Sequence, residues 1–203
     1  MLLVWAVAYA YAQEEQRENE FQTLFSNQQS LGFYGGFSMG YSQIDGKDAL
    51  VSGGRLALIF NRATALGIAG YGFVNNLDSY RWNENEDLRY SLGGGYGGIF
   101  IEPIVGGLKP VHVAFPVLFG VGGAGLYRSY APGYWDYPHY ESAEGDFFFI
   151  VEPAVELEFN LARFFRTAAT LSYRYTSNIE LLGMDENVLN GLHFGLTFKF
   201  GKF

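Results

Sequence analysis

The chain has 203 residues, 49% of them hydrophobic and 18% aromatic, with 27 glycines and no cysteine. Its formal net charge of −8 argues against a nucleic-acid partner, because phosphate binding needs a basic face. The missing cysteine excludes a disulfide scaffold, a thiol nucleophile and a thiolate metal site together. The length fits one domain. No apolar run reaches the roughly 18 residues that a transmembrane helix needs. A membrane crossing would therefore have to be made by a closed barrel.

Residues 2–12, LLVWAVAYAYA, form a short apolar run ending in Ala10-Tyr11-Ala12. That small-x-small pattern reads as a signal-peptide cleavage site, which assigns residues 1–12 to a signal peptide and makes Gln13 the mature start. Residues 13–30 are polar and acidic and read as a periplasmic leader. Phe21, Leu24 and Phe25 sit at helical spacing within it, so a docking helix is the sharper alternative.

From Leu31 the period is two, and residues 31–203 read as the barrel. Strand one, about Gly32 to Ser42, sets Phe33, Phe37, Met39 and Tyr41 against Tyr34, Ser38 and Ser42. Asp45-Gly46 marks the turn after it. The second strand, about Leu50 to Phe60, carries Leu56, Leu58 and Phe60 opposite Arg55. A third runs about Ala65 to Val74, and its glycines leave the facing open. After a polar loop, the fourth spans about Tyr90 to Ile104 and the fifth about Val111 to Tyr127. The sixth, about Phe147 to Phe159, alternates Phe149, Val151, Val155 and Leu157 with Glu152, Glu156 and Glu158. The seventh, about Phe165 to Tyr175, alternates Leu171, Tyr173 and Tyr175 with Arg166, Ser172 and Arg174. The segment SNIELLGMDEN reads as a third long loop.

About eight strands result, each long enough to cross a bilayer when tilted. Connections after the second, fourth and sixth strands are short, and those after the third, fifth and seventh are long. Short periplasmic turns with longer external loops are the pattern of an outer-membrane barrel, which places both termini on the periplasmic side. Tyr41, Tyr90, Tyr127, Tyr173 and Tyr175 fall at the outer strand ends, and Phe33, Phe60, Phe159 and Phe165 at the inner ends, as two interfacial belts require. Pro103, Pro116 and Pro153 cannot donate to a ladder, so a bulge or kink is expected at each.

The last stretch, NVLNGLHFGLTFKFGKF, alternates Leu192, Phe194, Leu196, Phe198 and Phe200 with Gly191, His193, Gly195, Thr197 and Lys199. It resembles the closing strand of bacterial outer-membrane β-barrels, and most of the chain after Leu31 resembles the small eight-stranded OmpX/OmpA-barrel-like proteins. The resemblance implies an all-β, antiparallel, up-and-down transmembrane barrel in a Gram-negative outer membrane. It also implies an assembly signal on Phe198, Phe200 and Phe203, read by the barrel assembly machinery, and contact with outer-membrane lipid and lipopolysaccharide. Phe203 falls in the other register from Phe200, so either Gly201 marks a bulge or Phe200 sets the register. The segments GIFIEPI and FPVLFG resemble small outer-membrane proteins of Bacteroidota-type bacteria. A soluble lipocalin-like barrel with its apolar face inward is the rival fold, since inverting a barrel leaves the period unchanged.

In a membrane barrel the polar face is the lumen. Arg55, Glu102, His112, Glu152, Glu156, Glu158, Arg166 and Arg174 fall on it and read as a structural ion-pair network, because an unpaired buried charge costs roughly several kcal/mol. Counting from the turns sets Glu158 directly across from Arg166, and Glu102 across from His112. An eight-stranded lumen is filled by side chains and leaves no open pore. The aromatic loop with Tyr130, Tyr134, Trp135, Tyr137, His139 and Tyr140 reads as an external binding surface or an extended girdle. His139 with nearby Ser142, Glu141 and Glu144 is the one place for a rim-active enzyme acting on lipid A or peptides. Three scattered histidines and no cysteine give no metal cluster, and no cofactor is expected. The expected function is a structural or accessory outer-membrane subunit, in a larger outer-membrane complex, or a surface-binding protein.

Overall fold

Strict alternation over eight successive segments makes a sheet with one apolar and one polar face, and such a sheet is stable when it closes on itself. The structure, a computed structural model, describes residues 30–80, 88–130, 140–181 and 183–203. Nine strands form: β1 (Leu31–Ile44), β2 (Lys47–Phe60), β3 (Thr64–Tyr80), β4 (Leu88–Val105), β5 (Val111–Ala114), β6 (Val117–Tyr130), β7 (Tyr140–Ala162), β8 (Phe165–Thr176) and β9 (Gly191–Lys202). β5 and β6 are one stave interrupted at Phe115-Pro116, and both pair with β4 and β7. Each stave pairs antiparallel with its sequence neighbours, and β1 pairs with β9. The result is a closed up-and-down ring of eight staves.

The apolar face points outward. Leu50, Leu56 and Ile99 are 61%, 61% and 66% exposed, whereas Tyr34, Ile59 and Phe148 on the other face are each 2% exposed. That facing overturns the lipocalin-like alternative, which needs the reverse. It also settles β3 and β4, where Tyr71, Phe73 and Tyr96 turn inward and Gly70 and Gly72 outward.

The β1–β2 turn is two residues, Asp45 (φ 56°) and Gly46 (φ 67°). Both are left-handed, the twist-matched hairpin turn for which Asp-Gly is preferred. The strands on either side of the long loops run farther than the sequence pattern indicated. β3 continues to Tyr80 and β7 begins at Tyr140.

The prolines interrupt the ladder without shifting it. Phe115 N–H donates to Pro103 O at 2.9 Å, Ala154 N–H to Pro116 O at 2.8 Å, and Val117 lies opposite Pro153. Pairing stays in step on both sides of Pro116. The bulges expected at the three prolines are thus replaced by missing donors and one two-residue gap. Register shifts fall instead between Asn75 and Tyr80, Leu126 and Tyr127, and Asn160 and Ala162. Gly201 pairs with Tyr34 in unbroken register and marks no bulge.

Candidate functional site

The lumen has two chemically different halves. Toward the short turns it is ionic. Lys199 on β9 is the hub: its Nζ lies 2.7 Å from Glu102 Oε1 and 2.8 Å from Glu156 Oε2, and it also donates to Glu158 Oε1. Those carboxylates come from β4, which stands opposite β9 in the ring, and from β7, two staves from β9. Arg55 on β2 adds Nη2 to Glu156 Oε1 at 2.7 Å and lies 3.7 Å from Glu102 Oε2. Tyr34 Oη donates to Glu102 Oε2 at 2.5 Å, and the Lys199 ammonium sits 4.9 Å over the Tyr34 ring. His112 Nε2 lies 2.7 Å from Glu158 Oε2. Burial is nearly complete: Glu102, Glu156 and Glu158 are 0% exposed and Lys199 1%. Three carboxylates this close would repel strongly in a low dielectric, and the ammonium among them is what makes the cluster tolerable.

The short-turn mouth is closed by Arg166. Its guanidinium lies 3.4 Å from Glu158 Oε2, donates to Gly107 O at 3.2 Å, and sits 3.9 Å over the Phe203 ring. Phe203 therefore turns into the lumen and stacks with Tyr34, whereas Phe198 and Phe200 lie on the outward face against Phe165.

At mid-height Ser172 Oγ donates to Glu152 Oε1 at 2.5 Å and lies 3.1 Å from His193 Nδ1. Serine, histidine and glutamate in contact invite a catalytic reading. Here the serine hydrogen bonds the carboxylate directly, and the group is sealed inside the barrel. The cavity beside it measures about 40 Å³, room for roughly three waters and no substrate. Glu152 Oε2 and His193 Nε2 have no protein partner, and both residues line that cavity. Gly40 leaves room for the imidazole, since a Cβ there would fall 2.3 Å from His193 Nε2.

Toward the long loops the lumen is apolar. Ile44, Val51, Phe73, Leu92, Leu126, Phe148 and Ile150 are buried there with Ile179, Leu181, Val188 and Leu189. The last four belong to residues 177–181 and 183–190, which fold as a lid. Arg174, 0% exposed, lies beneath them. It donates to Leu189 O at 2.7 Å and Ser42 Oγ at 3.2 Å, and faces the Phe73 and Tyr96 rings. Asp146 ties the lid to β7, accepting from the N–H groups of Glu180 at 2.8 Å and Phe147 at 2.7 Å.

All eight lumen residues named from the sequence lie inside the barrel, but two pairings differ from the counted ones. Asn160, and not Glu158, lies across from Arg166, because β7 runs on to Ala162; Glu158 meets Arg166 diagonally. Glu102 is level with Pro116 and not with His112, because the β4–β5 turn is longer, its Gly107 and Lys109 carbonyls accepting from Asn160 Nδ2. Arg174 makes no ion pair with a carboxylate among the described residues and belongs to the apolar half. Lys199, His193 and Tyr34 went unassigned, although their alternation with Phe198, Phe194 and Phe33 already placed them inward. In the aromatic loop, Tyr130 and Tyr140 end β6 and begin β7. Tyr134, Trp135, Tyr137 and His139 lie outside the described residues, as do residues 1–29.

An eight-stave up-and-down ring, apolar outside and filled by ion-paired side chains in one half and apolar ones in the other, has the fold of the small eight-stranded outer-membrane β-barrels. Among solved structures the chain is similar to Neisserial surface protein A, with a TM-score of 0.53 at 10% identity over 86% of this chain and 99% of that one. It also overlaps the N-terminal β-barrel domain of Pseudomonas aeruginosa OprF (TM-score 0.45, 11% identity, 84% of this chain and 96% of that one). A third match is Ail, the attachment invasion locus protein of Yersinia pestis (TM-score 0.45, 16% identity, 84% and 97%). No protein-family model and no curated protein matches the chain.

Proposed function

We propose that the protein is a small integral outer-membrane barrel, termini in the periplasm, that works as a sealed structural or accessory subunit or surface-binding protein. The observation that carries this reading is the lumen. Its short-turn half is locked by one ammonium among three carboxylates, and its long-loop half is stoppered by a packed apolar lid. A barrel filled in this way has no path for solutes, so its work falls to its surfaces. The long external loops, with the aromatic segment of Tyr134, Trp135, Tyr137 and His139, are the surface offered to another protein or to a surface polymer. Bilayer lipid and lipopolysaccharide surround the apolar belt. Phe198 and Phe200 remain available outside for the assembly machinery, whereas the Phe203 ring is covered once the barrel has closed.

The test is a mild-detergent pull-down of the tagged protein from native outer membranes, beside a version lacking residues 131–139. A stoichiometric partner, lost with the deletion, is the expected result. A solitary barrel in both samples would remove the subunit reading. Planar-bilayer recordings should show no discrete conductance, and a steady open channel would overturn the sealed lumen.

A further inference from the structure

The exposed charges divide by end. At the short-turn end stand Arg62 in the β2–β3 turn, Lys109 in the β4–β5 turn, Arg163 in the β7–β8 turn and Lys202 on β9, all exposed. The described Asp and Glu side chains of that half of the barrel, Glu102, Glu156 and Glu158, are all buried in the lumen. At the opposite end Asp45, Asp48, Glu180, Asp185 and Glu186 are exposed and Lys47 is half-buried.

Each cation at the short-turn end stands beside an outward apolar side chain. Leu108, 77% exposed, precedes Lys109; Leu161 and Phe164, 62% and 63% exposed, flank Arg163. Phe33, 57% exposed, lies across from Lys202, and the Leu31–Phe60 pair stands beneath the Arg62 turn. An apolar anchor beside a long cationic side chain suits the boundary between acyl chains and headgroups, where the anchor stays in hydrocarbon and the charge reaches outward.

We propose that these four residues form a collar that binds the phosphate headgroups of anionic glycerophospholipids in the leaflet facing the short turns. The inference rests on the membrane-barrel reading and extends it to a ligand. The cations are spread around the ring, at β2–β3, β4–β5, β7–β8 and β9. A protein partner would engage one flank, whereas lipid surrounds a barrel on every side. Charge complementarity therefore selects lipid, and the acidic opposite end fixes which leaflet is held by charge.

The test uses the folded, full-length protein in a non-ionic detergent, with equal amounts of phosphatidylglycerol and phosphatidylcholine of matched chains. Intact-complex mass spectrometry reads the lipid retained. The wild type should retain the anionic lipid at least ten-fold over the zwitterionic one. Losing two cations in Arg62→Gln/Arg163→Gln should lower that preference by roughly 25-fold, at about five-fold per cation. Lys47→Gln, at the other end, should leave it unchanged. Equal retention of the two lipids by the wild type, or an undiminished preference in the double variant, would overturn the collar. Boiled and unboiled samples on a denaturing gel report the barrel separately, so loss of the fold is not mistaken for loss of the lipid. Lys109→Gln/Lys202→Gln provides a second, independent pair and should behave alike.

Discussion

The two halves of the lumen solve one problem by opposite means. Both must fill a narrow tube with no void. Toward the short turns the chain uses charge: Lys199, Arg55 and Arg166 against Glu102, Glu156 and Glu158. Toward the long loops it uses Leu189, Ile179, Leu181 and Val188 from a folded loop. The ionic half is held by strands alone and cannot be undone without opening the ring. The apolar half borrows its plug from Ile179, Leu181, Val188 and Leu189, which belong to no stave. The difference teaches that a sealed barrel need not be uniformly rigid. One stopper is global and the other local.

The largest break should come from Lys199→Met. It strands three buried carboxylates together, and removing one partner of such a cluster costs about 3–5 kcal/mol. The whole unfolding transition in lipid or detergent should shift with denaturant, at every probe. Leu189→Ala tests the other half. Deleting a fully buried leucine side chain costs about 2–5 kcal/mol, but here the loss should appear mainly as faster amide exchange over 177–190, with a smaller shift of the global midpoint. Equal global shifts for both variants would erase the distinction between the halves. Tyr34→Phe removes the hydroxyl that donates to Glu102 and should cost about 2 kcal/mol, read by the same denaturant midpoint.

The mildest perturbation is acid. Asp146 carries the hydrogen bonds that tie the lid to β7, and its carboxyl is held below the ordinary value by the N–H groups of Glu180 and Phe147. A depressed carboxyl contributes fully above its unfolded value, and that contribution is lost as pH falls through the folded one. The lid amides should therefore exchange faster on acidification, relative to the intrinsic rate, and Asp146→Asn should remove that dependence. A lid equally loose at neutral and acidic pH would show that Asp146 does not hold it.

Much of this was legible in the sequence, for a physical reason. A period of two assigns every side chain to a face, so the inward placement of Arg55, Glu156 and Arg174 followed from counting. Counting does not supply stagger. Lys199 meets Glu102 across 97 residues of chain and Arg55 meets Glu156 across 101, and which residues come level depends on the tilt and shear of the closed ring. Local register failed where turns departed from their shortest form. Pro110 and the Asn160 cap lengthened one, and the extension of β7 to Ala162 moved the other. The lid was hidden because SNIELLGMDEN has no strand period. Ile179, Leu181, Val188 and Leu189 in and just after a polar loop were the signal that could have revealed it.

Lys199 sits on the last strand of the ring. Before β9 docks, the described lumen holds Glu102, Glu152, Glu156 and Glu158 against Arg55, Arg166 and Arg174, one positive charge short, and its three-carboxylate cluster lacks its centre. Neutralising the interior and zipping the seam between β1 and β9 are then a single event. An open sheet repels itself where the finished one attracts, so the chain carries an electrostatic check on completion. Lys199→Met should accordingly slow the final closure into lipid vesicles more than it slows the pairing of β1 with β2.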